Sequence, residues 1–157
     1  MNLNDRPMVP AGSNVPTNGH CLSAPTPGLR FLVVDDDPIF QLIIRTQLEE
    51  MKFTVAVADN GAAALKLCPQ FKPNVVILDM FMPEKEGIET IPALKRIDPD
   101  LEIMAISGGG VGDRELWLKT ARLLGARHIL RKPFTPAEFS AALNVIMHHA
   151  LLTANRG

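Results

Sequence analysis

The chain has 157 residues, which is enough for one domain with its own hydrophobic core and too few for two domains of ordinary size. Hydrophobic residues make up 46% and charged residues 21%, an ordinary globular composition, and the net charge of −1 gives no indication of nucleic acid or an anionic membrane as a partner. No apolar run approaches the roughly 20 residues of a membrane span, and the N-terminus lacks an apolar signal-peptide core, so we expect a cytoplasmic protein.

Residues 1–28 are rich in Pro, Gly, Asn, Ser and Thr without apolar periodicity, so we expect a flexible N-terminal tail there. From residue 29 onward, short apolar runs alternate with amphipathic segments. Continuous runs such as VVIL are typical of parallel strands buried on both faces, and the strand candidates are 30–34, 53–58, 74–78, 101–106 and 127–130. Helix candidates alternate with them at about 38–51, 61–70, 88–97, 113–124 and 136–153.

The helix candidates show one-sided apolar patterns and start signals. The first carries one apolar face made of Phe40, Ile44, Leu48 and Met51, and the last carries one made of Phe139, Leu143 and Ile146. Asp113 and Thr135 are placed as N-caps, whereas Pro92 indicates a late start or a kink in the third helix. The five strand–helix alternations predict an α/β domain with a doubly wound, five-stranded parallel sheet and helices on both faces.

Polar residues directly follow four of the five strand candidates. In folds of this class, binding sites lie beyond the carboxyl ends of the strands. Taken singly, each polar residue is typical of a helix cap, a turn or a solvated side chain. Together they place carboxylates, a hydroxyl and an ammonium at one edge of the sheet: Asp35, Asp36, Asp37, Asp79, Ser107 and Lys132.

The residue types at this edge indicate phosphoryl chemistry. Clustered carboxylates are hard oxygen ligands suited to Mg²⁺, and a carboxylate can attack phosphorus to form an aspartyl phosphate. Phosphoryl transfer needs mainly positioning and charge neutralisation, which a dication, an ammonium and a hydroxyl supply. These residues therefore predict an Asp that accepts a phosphoryl group, without showing which Asp is attacked.

Cysteines and histidines give no competing site. Cys21 and Cys68 lie far apart, which excludes a disulfide framework and fits a reducing cytosol. No metal site built from His and Cys is expected, because the four histidines share no metal-type spacing with the cysteines: His20, His128, His148 and His149.

At this point the chain resembles the receiver domain of two-component response regulators, of the CheY-like, single-domain kind, over about residues 29–152. The matching segments are FLVVDDDP, VVILDMFMPEKEG with Gly87 at its end, MAIS, and GARHILRKPF before a final helix. The resemblance implies a flavodoxin-like fold with strand order 2-1-3-4-5, which sets the first strand beside the third. It assigns residues 29–153 to the receiver domain and leaves 154–157 as a short C-terminal tail.

The resemblance also implies roles for the acidic residues. Asp79 matches the phosphorylated aspartate of the family. Asp36 matches the residue that ligates Mg²⁺ directly, and Asp35 matches its neighbour, which usually acts through water. The backbone carbonyl of Phe81 would complete the protein ligands. Asp37 precedes Pro38 and is instead predicted to be a helix N-cap.

The remaining matches concern residues that, in the family, respond to phosphorylation of the aspartate. Ser107 matches the hydroxyl that hydrogen-bonds the phosphoryl group, and Lys132 matches the lysine that pairs with it, followed by Pro133 at a family site for a cis peptide. Ile129 departs from the Tyr or Phe of many receivers, and the GGGVG loop after Ser107 could rearrange at low steric cost. Phe81 places an aromatic ring beside the acidic site. Our hypothesis is that this ring slows the attack of water on the aspartyl phosphate and lengthens the phosphorylated state.

The implied partners are proteins. A histidine kinase or a histidine phosphotransfer protein would supply the phosphoryl group, and the chain would catalyse only its own phosphorylation and dephosphorylation. For a receiver of the single-domain kind, we expect signalling to an unknown downstream protein through the helix at 113–124, the last strand and the last helix. Ile129, Trp117 and Phe134 are the candidate contacts on this surface, with simple core packing as the alternative for Trp117.

Two other functions remain open at this point. A Mg²⁺-dependent phosphohydrolase of the haloacid dehalogenase type would use Asp35-x-Asp37, with Ser107 and Lys132 in its later motifs. Against this interpretation, the sequence has no acidic pair after the lysine, and the LDMFMP segment would have no explanation. A receiver-like module that docks partners without taking phosphate is the other alternative, although all positions of its acidic pocket are intact.

Overall fold

Strands and helices alternate along the chain in the computed structural model, which describes residues 28–82, 86–108 and 114–154. The elements are β1 Arg30–Val34, α1 Pro38–Glu50, β2 Thr54–Ala58, α2 Gly61–Phe71, β3 Val75–Asp79, α3 Glu86–Ile97, β4 Glu102–Ser107, α4 Arg114–Leu124, β5 His128–Arg131 and α5 Pro136–Ala154. Every predicted strand and helix is present, with bounds shifted by no more than two residues. The predicted tail at 1–28 lies, except for Gly28, outside the described residues.

The five strands form one parallel sheet in the order β2-β1-β3-β4-β5. This is the predicted flavodoxin-like order. Val34 at the end of β1 pairs with Leu78 of β3, and Asp79 at the end of β3 pairs with Ile106 of β4. The carboxyl ends of these strands are therefore level with one another, so the residues that follow them meet at one edge.

The core has two halves, one on each face of the sheet. One half packs α2, α3 and α4 against the sheet, and the other packs α1 and α5 against it. Both predicted helix faces are confirmed: Phe40 and Met51 are half-buried, and the other members are fully buried, namely Ile44, Leu48, Phe139, Leu143 and Ile146. Burial of the strands on both faces explains why β1, β3 and β4 read as continuous apolar runs.

Two helix starts follow the predicted side-chain caps. The Asp37 carboxylate accepts a hydrogen bond of 2.9 Å from the backbone N–H of Ile39, with Pro38 at the first helical position. At α5 the Thr135 hydroxyl accepts from the N–H of Glu138, whose carboxylate accepts from the N–H of Thr135. This reciprocal pair is a capping box, which satisfies two otherwise unpaired donors. The cap predicted at 113 lies outside the described residues.

The third helix corrects one expectation. It begins at Glu86, before the predicted start, and continues through Pro92. Ile91 and Leu94 on either side of the proline are fully buried, so packing against the core maintains the helix despite the lost backbone donor. Among the described residues, no helix combines the length and apolar character needed to cross a membrane.

Candidate functional site

The site lies where four strand ends meet. Asp35 follows β1, Asp79 ends β3, Ser107 ends β4 and Lys132 follows β5. The backbone N–H of Lys132 donates to the carbonyl of Ser107 at 2.7 Å, which continues the β4–β5 ladder one residue beyond the strand and holds the lysine over the edge. Asp35, Asp79 and Ser107 are all buried, at 1%, 7% and 3% exposure, whereas Asp36 is exposed.

Lys132 joins the two buried carboxylates. Its Nζ lies 2.8 Å from Asp35 Oδ2 and 2.8 Å from Asp79 Oδ2, so one ammonium donates to both. The same Nζ lies 3.6 Å from the centroid of the Phe40 ring, in the position of a cation–π contact. The lysine that the sequence placed near the aspartates is therefore their direct partner.

Burial and charge act in opposite directions on these groups. Burial raises the pKa of Asp35, and the neighbouring Asp79 charge adds to that effect, while the hydrogen bonds from Lys132 and from the Asp37 N–H oppose it. For Lys132, burial alone would lower the pKa, but its hydrogen bonds to Asp35 and Asp79 outweigh burial and the pKa is raised. The lysine is therefore fully charged at neutral pH.

Backbone and amide donors fix the orientation of the acidic loops. The N–H of Asp37 donates to Asp35 Oδ1, and the N–H of Phe81 donates to Asp79 Oδ1, both at 2.9 Å. Gln41 donates from Nε2 to the Asp35 carbonyl at 2.6 Å. Each buried carboxylate thus has one oxygen held by the backbone and one held by the ammonium of Lys132.

The three aspartates of the edge are close enough to share a cation. Asp35, Asp36 and Asp79 each offer one carboxylate oxygen, and these oxygens lie within 4.8 Å of one another. The donor set is all-oxygen and anionic, which fits a hard dication such as Mg²⁺. Asp37 does not join it, because its exposed carboxylate caps α1. The Asp35-x-Asp37 pair required by the phosphohydrolase alternative is therefore not directed at one site.

The surroundings of Gly87 explain why a glycine follows the LDMFMP segment. A Cβ at this position would lie 2.8 Å from the carbonyl oxygen of Asp79 and 2.8 Å from Cα of Met80. Such a contact is closer than real Cβ atoms allow, so α3 can pack this tightly against the end of β3 only with glycine here. The absence of a side chain at Gly87 therefore allows the start of α3 to lie directly against the Asp79–Met80 peptide.

The remaining predicted residues lie around the site. Ile129 pairs with Ala105 in the sheet and is half-buried against the α2–α4 side of the core. Trp117 is half-buried, and its ring makes an edge-to-face contact with Phe81 at 5.9 Å between centroids. Phe134 packs against Phe40 and Phe139. Lys132–Pro133 is a cis peptide, as the resemblance implied.

Ile129 and Phe134 also line a groove of about 360 Å³ between α4, β5 and the start of α5. This groove lies on the surface that the sequence assigned to partner contacts. Trp117 lies apart from it, against Phe81. Of the glycine-rich loop, only Gly108 falls within the described residues, and a Cβ there would touch the Lys132 side chain at 3.4 Å.

Sequence reasoning missed two residues of the site, both at the start of α1. Phe40 was assigned to the apolar face of the helix and was not recognised as the ring beneath Lys132. Gln41 was not singled out, although a polar residue next to that face is the one available signal for a buried hydrogen-bonding role. Both depend on the way α1 packs beside β1, which periodicity alone does not specify.

The comparison with protein families decides the class. A family model described as the response regulator receiver domain matches residues 31–144. The chain belongs to this family. CheY of Thermotoga maritima is 32% identical over 120 residues, which cover 76% of this chain and 98% of that protein. A response regulator receiver domain protein from Clostridium thermocellum is similar in structure, with 28% identity, a TM-score of 0.71, and coverage of 80% of this chain and 99% of that one.

Longer relatives match through part of their length. The transcriptional regulatory protein CpxR of Escherichia coli is 35% identical over 77% of this chain and 50% of its own length. PrrA of Mycobacterium tuberculosis is 33% identical over 80% of this chain and 52% of its own length. The receiver chain thus spans about half the length of these regulators. The family is a signalling phosphoacceptor family of two-component systems, in which acidic residues bind Mg²⁺, and not a family of conventional enzymes.

Proposed function

We propose that this receiver domain accepts a phosphoryl group on Asp79 from a phosphohistidine donor in a Mg²⁺-dependent reaction and signals through protein contacts. The observation that carries the proposal is the ammonium of Lys132, held 2.8 Å from both Asp35 and Asp79 at the edge where the carboxylates converge. A nucleophilic carboxylate, a fixed cation and a buried hydroxyl are the groups that phosphoryl transfer uses.

Asp79 is the proposed nucleophile because of its placement and its fixed orientation. It ends the central strand β3, between Asp35 and the β4 end that carries Ser107. In the proposed step, one carboxylate oxygen of Asp79 forms a bond to phosphorus, the P–N bond of the donor breaks, and its electron pair stays on the donor imidazole. The hydrogen bond from the Phe81 N–H to Asp79 Oδ1 fixes the carboxyl plane before attack.

Lys132 and Ser107 are proposed to stabilise the phosphoryl oxygens. The Lys132 ammonium already faces Asp79 Oδ2, so it needs only a small movement to pair with an oxygen on the incoming phosphorus. Ser107 ends the neighbouring strand and would donate its hydroxyl proton to another oxygen. The Asp35–Lys132 bond keeps the ammonium at this edge when its bond to Asp79 is given up.

The proposed holders of Mg²⁺ are Asp36 directly, Asp35 through water, Asp79, and the backbone carbonyl of Phe81. Their fit rests on the convergence of the three carboxylates within 4.8 Å. When bound, Mg²⁺ neutralises the carboxylates and the phosphoryl oxygens that approach them. Asp36→Ala is expected to weaken Mg²⁺ binding by at least about tenfold, since even residues that support metal ligands contribute on the order of 10–100-fold to affinity.

The proposed output is a change in the surface of α4, β5 and α5. Phosphorylation would shift a pre-existing conformational equilibrium. The groove lined by Ile129 and Phe134 is the part of this surface nearest to Lys132 along the chain, so we propose that it changes with that equilibrium. Ile129 is smaller than the aromatic ring of many receivers, so movement of the loop after Ser107 is proposed to carry more of the switch. The donor is proposed to be a histidine kinase or a phosphotransfer protein.

The test is incubation of the chain with a small acyl phosphate, with and without Mg²⁺, followed by intact mass measurement. We expect one added phosphoryl group, formed only with Mg²⁺ and lost in Asp79→Asn. An adduct that persists in Asp79→Asn would overturn the assignment. No adduct on the folded chain would favour the phosphate-independent binding module, and continuous hydrolysis of a phosphomonoester would favour the phosphohydrolase.

A further inference from the structure

A second cluster of ionisable side chains lies at the opposite edge of the sheet. Glu102 is the first residue of β4, His128 is the first residue of β5, and His149 lies near the end of α5. Since β4 has six residues, this edge is about 17 Å from the Ser107 end of the same strand. The cluster therefore shares no atoms with the phosphoacceptor site.

The three side chains converge. Each offers one ligand-type atom, and these atoms lie within 4.8 Å of one another. Glu102 Oε2 lies 3.6 Å from His128 Nε2, beyond hydrogen-bond distance, and the rings of His128 and His149 are 5.3 Å apart between centroids. Separations of this kind leave room for an atom between the side chains.

The polar atoms of the cluster are buried and unsatisfied. Glu102 has no solvent exposure, and within the described residues its Oε2 has no hydrogen-bond partner. The same holds for His128 Nε2 and His149 Nδ1. Buried polar atoms are nearly always paired, because an unpaired buried atom lowers the stability of the folded state. Three such atoms on residues whose ligand atoms lie within 4.8 Å of one another are consistent with a missing common partner.

The charge state of the cluster suits a cation. Arg127 Nη1 donates to Glu102 Oε1 at 2.6 Å, which leaves Oε2 of the same carboxylate free to act as a ligand. His128 Nε2 has no described hydrogen-bond partner, and an imidazole nitrogen binds a metal ion through its lone pair. The ammonium of Lys95, the second cation near the cluster, donates hydrogen bonds to the carbonyls of Pro99 and Leu101.

We propose that Glu102, His128 and His149 form a binding site for a borderline divalent transition metal of the zinc class. The proposed ligand atoms are the three unpaired ones, Glu102 Oε2, His128 Nε2 and His149 Nδ1. Two imidazoles and one carboxylate are a known type of zinc ligand set, with a fourth position for water. His149 borders a surface groove that also contacts Lys95 and Arg127, and this groove gives the ion a route of entry.

The ligand chemistry separates this site from the acidic edge. Imidazole nitrogen favours zinc-class metals, whereas a set of carboxylate oxygens favours Mg²⁺. The bound ion would link β4, β5 and α5, in addition to the β4–β5 backbone ladder, the Arg127–Glu102 ion pair and the apolar packing around Ala150 and Met104. Binding to the folded state alone stabilises it, so the metal is expected to raise the melting temperature by about 5–10 °C at 100 times its dissociation constant.

The test is calorimetric titration of the full chain with Zn²⁺ in excess Mg²⁺, which occupies the acidic edge. We expect one Zn²⁺ per chain and an affinity at least about tenfold lower in His149→Ala. His148→Ala is the matched control, since His148 is exposed and adjacent on α5. It should bind as the unchanged chain does, as should Asp36→Ala.

A second measurement covers the case in which a variant folds poorly. In ¹⁵N spectra of the histidine side chains of the unchanged protein, Zn²⁺ should shift His128 Nε2 and His149 Nδ1 and leave His148 unaffected. Absence of Zn²⁺ binding, equal binding in His149→Ala, loss of binding in Asp36→Ala, or shifts confined to His20 and His148 would each overturn the proposal.

Discussion

Strands β4 and β5 carry ionisable clusters at both ends, and the two clusters are built differently. At the carboxyl ends, Lys132 and Ser107 lie beside Asp35 and Asp79 from the neighbouring strand ends. In each of these two carboxylates, one oxygen accepts from a backbone N–H and the other accepts from the ammonium of Lys132. At the amino ends, Glu102 meets two histidines, and only one of its oxygens has a described hydrogen-bond partner, Arg127.

The difference concerns what each edge can still bind. The acidic edge already has a cation in Lys132, so the proposed phosphoryl transfer would have to displace part of an existing ion pair. The histidine edge leaves three buried atoms unpaired, so a metal ion there would add bonds without breaking any. The two ends of the sheet would therefore carry two independent sites, which the following variants test.

The largest expected effect comes from removing the cation at each edge in turn. Lys132→Met should slow Mg²⁺-dependent phosphorylation by roughly 100-fold, because an oriented donor to a transferring group is lost. Arg127→Met removes the partner of Glu102 and should leave the phosphorylation rate unchanged. Both rates are measured by intact mass with a small acyl phosphate. Comparable slowing in the two variants would show that the edges are not independent.

Phe81 provides a smaller test, at the acidic edge alone. Its ring packs against Trp117 beside Asp79, and we expect it to limit the approach of water to a phosphorylated Asp79. Phe81→Asn should shorten the phosphorylated lifetime by roughly tenfold, equivalent to about 1.4 kcal/mol in the barrier. Phe81→Leu, which keeps an apolar side chain, is the control. An unchanged lifetime in Phe81→Asn would refute this role for the ring.

The pKa of Asp35 predicts how stability depends on pH. Because burial raises this pKa above the ordinary 3.8, the folded chain binds the proton more tightly than the unfolded chain. The contribution of Asp35 to the free energy of unfolding should therefore fall as pH rises from below 3.8 through the raised value. Asp35→Asn lacks this loss, so its stability relative to the unchanged chain should increase over that window.

Urea unfolding of both proteins from acid to neutral pH, with a chelator present, measures this difference. The chelator removes divalent cations that would otherwise offset the buried charge at neutral pH. A stability difference that stays constant or shrinks as pH rises would contradict the direction derived for Asp35.

The smallest effect is expected at Asp37, which belongs to the acidic run in sequence but not to the site. Asp37→Ser keeps an oxygen for the Ile39 N–H and should change stability by no more than about 0.5 kcal/mol, whereas Asp37→Ala should lose about 1 kcal/mol. Neither should alter Mg²⁺ affinity, measured by titration calorimetry. Weakened Mg²⁺ binding in Asp37→Ser would place this residue in the site after all.

The sequence predicted most of the acidic edge because strand ends are visible in it. Buried parallel strands are continuous apolar runs, so the polar residues that stop them, such as Asp79 and Lys132, are marked by position. The cap role of Asp37 followed from the proline after it. The bridging geometry of Lys132 over the Phe40 ring did not follow, since it depends on how α1 packs beside β1 and on where the segment after β5 places the lysine.

The histidine edge could not be predicted in the same way. Glu102, His128 and His149 come from three distant segments, and the expectation of no metal site built from His and Cys rested on the spacing of the histidines from the cysteines. Glu102 begins a strand, where a charged residue is ordinarily solvated, yet it is fully buried. Only the adjacency of β4 and β5 and the line of α5 across them bring these side chains together.

Locating the phosphoryl group on the chain tests directly whether Asp79 is the phosphoacceptor. The chain is treated with a small acyl phosphate and Mg²⁺, reduced with borohydride to convert an aspartyl phosphate to homoserine, digested, and sequenced by mass spectrometry. We expect homoserine in place of Asp79 and at no other aspartate. Modification of Asp35 or Asp36, with Asp79 intact, would contradict it.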